Sequence, residues 1–96
     1  MRPRKSGDIA KTLKKKGFLE DKDGHHTYYH LVVDGKKTTV NTYLSHGKKS
    51  SDYGTKLMAQ VKRQLCFEDT KLAEKFLDCP MTEVEYVKML KEQGEI

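Results

Sequence analysis

The chain has 96 residues, of which 35% are hydrophobic and 34% are charged, and its formal net charge is +5. A chain of this length buries roughly 60–68% of its unfolded surface, enough for one modest core, so we expect a single domain over residues 1–96. No segment approaches the ~20 apolar residues of a membrane span, and the basic start lacks the apolar run of a signal peptide. Cys66 and Cys79 lack CxxC spacing, which is typical of a reducing cytoplasm.

The charge is unevenly distributed along the chain. Residues 1–63 contain fifteen Lys and Arg against six Asp and Glu, a local charge of +9. Residues 64–96 contain four against eight, a local charge of −4. A basic body is typical of proteins that bind nucleic acid. Ordinary solvated helix faces are the alternative, which we favour for the acidic tail alone.

A first helix is predicted over residues 7–16. Ser6 is its expected N-cap, and Ile9 and Leu13 mark an apolar stripe at helical spacing. Gly17 is the expected C-terminal stop.

The last turn of this helix is basic. Lys14, Lys15 and Lys16 complement the helix dipole there, which is a sufficient structural explanation for all three. Contact of Lys14 and Lys15 with RNA phosphates is the functional alternative.

A short strand near residues 18–20 and a polar loop at 21–24 should precede a strong hairpin. Asp34-Gly35 between two β-rich runs is typical of a two-residue type I′ turn. Such a turn pairs Val33 with Lys36, and by extension Leu31 with Thr38 and Tyr29 with Val40.

Strand alternation divides the hairpin into two faces. The predicted core face carries Tyr29, Leu31 and Val40. The predicted solvent face carries His26, Tyr28, His30, Thr39 and Asn41.

The hairpin also contains most of the candidate catalytic residues, because three of the four histidines lie at positions 25, 26 and 30. Histidine exchanges protons near neutral pH, and tyrosine rings stack on unpaired bases. His25 has core-side parity at the start of the strand, which suits either a buttressed catalytic group or a hydrogen-bonded structural histidine.

A polar basic loop over residues 45–51 follows the third strand and leads into a helix over residues 52–65. The apolar stripe of that helix is predicted to be Tyr53, Leu57, Met58, Val61 and Leu65. Lys48 and Lys49 beside the helix N-terminus form a candidate anion site.

Two further helices are predicted over residues 68–77 and 83–93. Thr82-Glu83-Val84-Glu85 matches a capping box at the start of the second one.

The order helix–strand–strand–strand–helix, with Leu13-Lys14-Lys15-Lys16-Gly17-Phe18 before the hairpin, resembles the HicA toxins of bacterial and archaeal toxin–antitoxin pairs. The resemblance covers residues 6–66 and continues through Gly24-His25-His26-Thr27-Tyr28-Tyr29-His30 to the loop that contains His46 and Lys48. In that family a Tyr and a His follow the catalytic His by three and five positions. His25, Tyr28 and His30 reproduce this spacing.

The resemblance implies an α+β fold of the α-β-β-β-α type found in double-stranded-RNA-binding domains, with residues 67–96 as a C-terminal extension of two helices. It implies a cytoplasmic, RNA-cleaving toxin (an mRNA interferase) with a HicB-like antitoxin as its partner. His25 would be the catalytic residue and His26 the fallback. RNA-binding residues would be Lys14, Lys15, Tyr28, His30, His46, Lys48 and Lys49.

The expected mechanism is metal-independent, with a histidine as general acid or base while the ribose 2′-hydroxyl attacks the adjacent phosphate. A metal site is not expected, because His25, His26 and His30 lack accompanying cysteines or an HxxxH helical pair. No cofactor and no membrane partner are expected either. Two alternatives stay open: a non-catalytic RNA-binding module and a protein-interaction domain.

Overall fold

A computed structural model of the chain describes residues 1–24, 26–45, 52–78 and 80–96. This part of the chain is α+β, with a three-stranded antiparallel sheet, a two-stranded ribbon and four helices. In chain order the elements are β1 (Arg4–Lys5), α1 (Ser6–Lys15), β2 (Phe18–Asp23), β3 (His26–Val33), β4 (Lys36–Ser45), β5 (Asp52–Tyr53), α2 (Thr55–Gln64), α3 (Thr70–Leu77) and α4 (Glu83–Glu92). Within these described ranges no helix is long and apolar enough to cross a membrane.

The first helix differs from the prediction at its start. Lys5, in extended conformation, occupies the N-cap position, and its side chain makes no capping hydrogen bond. Ser6 is therefore the first residue of α1 rather than its cap, and it is buried. The shift arises because Arg4 and Lys5 form β1, which pairs with β5 and brings the chain into α1 directly from a strand.

The predicted end of the first helix is confirmed at Gly17. This glycine has a φ of +91°, a left-handed conformation that side chains with a Cβ disfavour. The chain then enters β2, which extends to Asp23 where we expected a loop from residue 21. Pairing with β3 accounts for the extra length, since Asp21 and Asp23 lie opposite Tyr28 and His26.

The turn between β3 and β4 has the predicted type. Asp34 and Gly35 both have positive φ values, of 52° and 77°, as a type I′ turn requires. Val33 pairs with Lys36, as predicted.

Beyond the turn, the predicted register is wrong. Tyr29 pairs with Thr42 rather than Val40, and a bulge lies between His30 and Val32. Thr38 stabilises this irregularity, because its hydroxyl donates to the Leu31 carbonyl oxygen at 3.0 Å and accepts from the Val40 N–H at 3.2 Å.

The predicted core face is confirmed despite the changed register. Tyr29, Leu31 and Val40 are all nearly inaccessible to solvent. The bulge adds an even number of residues to β4, so alternation resumes in phase and Thr42 and Leu44 are buried as well.

The helix that was predicted over residues 52–65 begins about one turn later in the structure. Asp52 and Tyr53 form β5, and α2 starts at Thr55. Met58, Val61 and Leu65 are buried as predicted, whereas Leu57 is 44% exposed and does not belong to the apolar stripe.

The capping box at Thr82 and Glu85 is confirmed in both directions. The Thr82 hydroxyl accepts from the Glu85 N–H, and a Glu85 carboxylate oxygen accepts from the Thr82 N–H. It sets the start of α4 at Glu83.

Residues after position 66 complete the hydrophobic core. Phe67, Phe76, Tyr86 and Leu90 are buried in the same cluster as Ile9, Leu13 and the sheet residues. The Tyr86 ring lies 4.4 Å from that of Phe76 and 6.0 Å from that of Phe18, measured between centroids. The Tyr86 hydroxyl donates to the Leu65 carbonyl oxygen at 2.8 Å, so α4 is tied to the end of α2 by a buried hydrogen bond.

Lys16 is the one lysine that the structure buries among the described residues, with 5% of its surface exposed. Its ammonium group donates to the carbonyl oxygens of Phe76 and Met81, at and just beyond the end of α3. The group also lies 4.5 Å from the centroid of the Phe76 ring, within cation–π range. Lys16 therefore joins the end of α1 to the segment between α3 and α4, a role that composition and helical periodicity do not reveal.

We expect Lys16→Met to lower the free energy of unfolding by about 1–3 kcal/mol, because it leaves two buried carbonyl oxygens without their donor. The neighbouring Lys15 is exposed, so Lys15→Met is the matched control and should change stability by no more than about 0.5 kcal/mol. Urea unfolding of the three proteins measures the difference. Equal stability of the two variants would show that Lys16 contributes no more than a surface lysine.

We also expect a chain that ends at Cys66 to fail to fold cooperatively. It lacks Phe67, Phe76, Tyr86 and Leu90, and loss of one buried aromatic ring alone typically costs about 3–5 kcal/mol. Thermal unfolding followed by circular dichroism, with dye binding to exposed apolar surface, tests this. A chain that ends at Gln93 loses only exposed residues and should unfold cooperatively.

Candidate nucleic-acid interface

Four aromatic side chains meet on the face of the three-stranded sheet opposite the core, which we call the open face. They are His26, Tyr28 and His30 of β3 and Tyr43 of β4, and we call them the ring cluster. The pairing places Tyr28 directly across from Tyr43 and His30 across from Asn41. All four rings are partly exposed, so they offer aromatic surface to an incoming molecule.

The rings of this cluster contact one another along and across the strands. The His26 and Tyr43 centroids are 5.0 Å apart in an edge-to-face arrangement. Tyr28 lies 5.7 Å from Tyr43 and 6.3 Å from His30, and the Tyr28 and His30 planes are inclined by only 20°. Such ring contacts restrict the side chains before anything binds, which lowers the entropy lost on binding.

Tyr43 is also held from the helix layer. The Gln60 side-chain amide of α2 donates to the Tyr43 hydroxyl at 2.9 Å. This bond anchors the end of the Tyr43 side chain at the β4 edge. The ring cluster is thereby connected to the packing of α2.

The side of the open face formed by β2 is acidic. Asp21 and Asp23 lie opposite Tyr28 and His26, and side chains of directly paired residues share a face. Leu19, opposite His30, is 48% exposed. Negative charge therefore borders the ring cluster along β2, whereas Asn41 borders it along β4.

Those predicted RNA-binding residues that the structure describes lie on two different sides of the sheet. Tyr28 and His30 are brought together in the ring cluster, as predicted. Lys14 and Lys15 belong to α1, which packs on the opposite, core side of the sheet through Ile9 and Leu13.

Lys14 already has a partner on the core side. Its ammonium group lies 3.6 Å from the Glu20 carboxylate, which also accepts the Tyr29 hydroxyl at 2.9 Å. The hydrogen bond from Tyr29, together with the nearby Lys14 charge, lowers the pKa of Glu20. Glu20 is thus ionised at neutral pH, which accounts for the Lys14 position without a bound phosphate.

Four predicted site residues lie outside the described residues: His25, His46, Lys48 and Lys49. Their assignments stay predictions. The fallback residue His26 is described and belongs to the ring cluster.

Tyr43 was not among the predicted site residues. The alternation that puts Asn41 on the solvent face also puts Tyr43 there, two residues on, so the signal was present in the sequence. The changed register then makes Tyr43 the direct partner of Tyr28.

Cys66 is a half-buried thiol whose pKa burial raises to about 11, so it stays protonated and weakly nucleophilic at neutral pH. In the part of the chain that the structure describes, no three His, Cys, Asp or Glu side chains are grouped to hold a metal ion.

Comparison of the chain with family models, with curated proteins and with solved structures yields no match. The likeness to HicA toxins therefore depends on the motif spacing and the element order alone.

Proposed function

We propose that this protein binds single-stranded RNA on its open face. The ring cluster carries this proposal, because exposed and mutually ordered aromatic rings on a sheet are the surface on which unpaired bases stack. Tyr28 occupies the centre, with rings on three sides of it. A base placed on Tyr28 would thus have neighbouring rings along and across the strands.

The charge around the ring cluster supports one path for the RNA backbone. Asp21 and Asp23 repel phosphates along β2, so the backbone should run along the β4 side. Lys37 is exposed near the turn end of β4, and His46, Lys48 and Lys49 follow directly after its other end in the sequence. The positive charge of Lys37 on β4, and of Lys48 and Lys49 soon after β4 in the sequence, suits a phosphate chain that runs parallel to this strand.

We further propose that the bound RNA is cleaved, and that the protein is a cytoplasmic toxin of the HicA kind. Apart from the two-residue strands β1 and β5, the element order α1-β2-β3-β4-α2 is the one expected for the α-β-β-β-α fold of double-stranded-RNA-binding domains, which supports this proposal. In this mechanism the ribose 2′-oxygen bonds to the adjacent phosphorus as a general base takes its proton, and the bond from that phosphorus to the 5′-oxygen of the next nucleotide breaks as a general acid gives this oxygen a proton. The histidine fills one of these two roles and water fills the other. His25 is the proposed general acid or base, with His26 as the fallback, and no metal or cofactor takes part.

A toxin of this kind must be restrained in its own cell, so we propose a HicB-like antitoxin as its protein partner. Covering the ring cluster and the basic β4 side would block RNA directly. Acidic and aromatic side chains suit that surface best, because like charges across an interface are unfavourable.

A non-catalytic RNA-binding module is the principal alternative, and the same ring cluster supports it. A protein-interaction domain is the second alternative. It is favoured by Val84 of α4, which is 77% exposed beside Val87, Lys88 and Lys91 in a shallow groove.

We expect Tyr28→Ala to weaken binding of a short single-stranded RNA by roughly 5- to 150-fold, the equivalent of about 1–3 kcal/mol for one stacked base. Tyr28→Phe is the matched control, since it keeps the ring and should bind nearly as the wild type does. Fluorescence anisotropy with labelled RNA measures both, and a fully paired RNA should compete poorly. If Tyr28→Ala binds as tightly as Tyr28→Phe, RNA does not stack on the open face.

We expect His25→Ala to reduce RNA cleavage by about 10²–10⁴-fold, the usual contribution of general acid–base catalysis, and to abolish toxicity in cells. His26→Ala should retain most of the activity, and cleavage by the wild type should continue in a metal chelator. Gel assays on a single-stranded RNA measure the rates. Binding without cleavage by the wild type would favour the non-catalytic module, whereas equal rates for both variants would remove the catalytic role from His25.

A further inference from the structure

A second polar site lies away from the ring cluster, in a cleft of about 550 Å³. Its walls are residues 2–5, Asp8 in the first turn of α1, and Leu77 and Asp78 at the end of α3. None of these residues belongs to the open face, so the cleft is independent of the proposed RNA surface.

The central feature of this cleft is the Arg4 side chain, which is only 10% exposed. Its Nη1 donates to Asp78 Oδ1 at 2.7 Å. Its Nε and Nη2 are buried and have no hydrogen-bond partner. Nε and Nη2 form one edge of the guanidinium, and this edge has the geometry to donate to two oxygens of a single carboxylate or phosphate.

The charge in the cleft is only partly balanced, because its walls carry three cations, Arg2, Arg4 and Lys5, against the two carboxylates of Asp8 and Asp78. Arg2 Nη2 donates to the same Asp78 oxygen at 2.6 Å, so two guanidinium groups share one carboxylate. The hydrogen bond from Arg4 lowers the pKa of Asp78, which keeps this carboxylate ionised at neutral pH. With Asp8 and Lys5 included, the walls of the cleft still carry an excess of one positive charge. A buried cation with unused donors is unfavourable unless an acceptor meets them.

We propose that this cleft binds a phosphate group through the free edge of Arg4. Two phosphate oxygens would accept from Nε and Nη2, and the remaining oxygens would face Arg2 and Lys5. Both of these side chains are long and exposed, so they can rearrange as the anion enters. A phosphate suits this set better than a carboxylate because it offers acceptor oxygens to several cations at once.

The test uses the full-length protein and inorganic phosphate as the probe. In a ¹⁵N-correlated NMR spectrum, the Nε–H signal of Arg4 should shift on addition of phosphate but not of chloride at equal ionic strength. Arg4→Lys keeps the positive charge but removes the guanidinium edge with its two parallel donors. It should therefore weaken phosphate affinity by about tenfold or more, the equivalent of one charged hydrogen bond. Arg63→Lys, at an exposed position, is the matched control and should bind phosphate as the wild type does.

Two RNA probes of one sequence identify the source of the phosphate. If only the 5′-phosphorylated oligonucleotide shifts the Arg4 signal, the cleft takes a terminal phosphate. If the 5′-hydroxyl oligonucleotide shifts it equally, the cleft takes a backbone phosphodiester.

The proposal is overturned if inorganic phosphate leaves the Arg4 signal unchanged, or if Arg4→Lys binds phosphate as tightly as Arg63→Lys does. Tyr28→Ala should leave the response to inorganic phosphate intact. Failure of this site is therefore distinguishable from failure of RNA binding on the open face.

Discussion

The buried ammonium group of Lys16 is the interaction on which the arrangement of the helices depends. It lies where α1 ends, and it binds main-chain oxygens at the end of α3 and just before α4. The carbonyl end of a helix attracts cations. The Lys16 charge therefore stabilises the C-terminal end of α1, where it is located, and also that of α3, whose Phe76 carbonyl oxygen it binds. Gly17 follows immediately with its left-handed conformation and turns the chain into β2. Sheet and C-terminal helices are thus joined within two residues.

Patterns that act over a few residues predicted the structure well. The Asp34-Gly35 turn, the helix end at Gly17 and the capping box at Thr82 each depend on local backbone geometry. Each of them is found in the structure at the position predicted from the sequence. Alternation likewise identified the buried face of β3. These features need no knowledge of distant contacts, because the residues themselves carry the conformational preference.

Features that depend on distant partners were not predictable. The burial of Lys16 follows from where α3 ends, sixty positions along the chain. The pairing of Arg4 and Lys5 with Asp52 and Tyr53 is equally non-local, and it displaced the expected cap at Ser6. For the candidate site, alternation correctly predicted that Tyr28 and His30 share a face, but α1 packs on the other face of the sheet, so Lys14 and Lys15 lie away from them. All four residues are close to the hairpin in the sequence, but this closeness does not determine on which side of the sheet each of them lies.

The bulge in β4 has a consequence for how the hairpin tolerates change. It divides the strand pair into a turn-proximal segment, aligned by Asp34-Gly35, and a distal segment, aligned by the partners of Tyr28, Tyr29 and His30. An irregularity between two paired segments absorbs local shifts in twist and length. The tip can therefore vary in length or composition while the distal segment keeps its alignment. Changes at the tip should therefore leave the ring cluster in place.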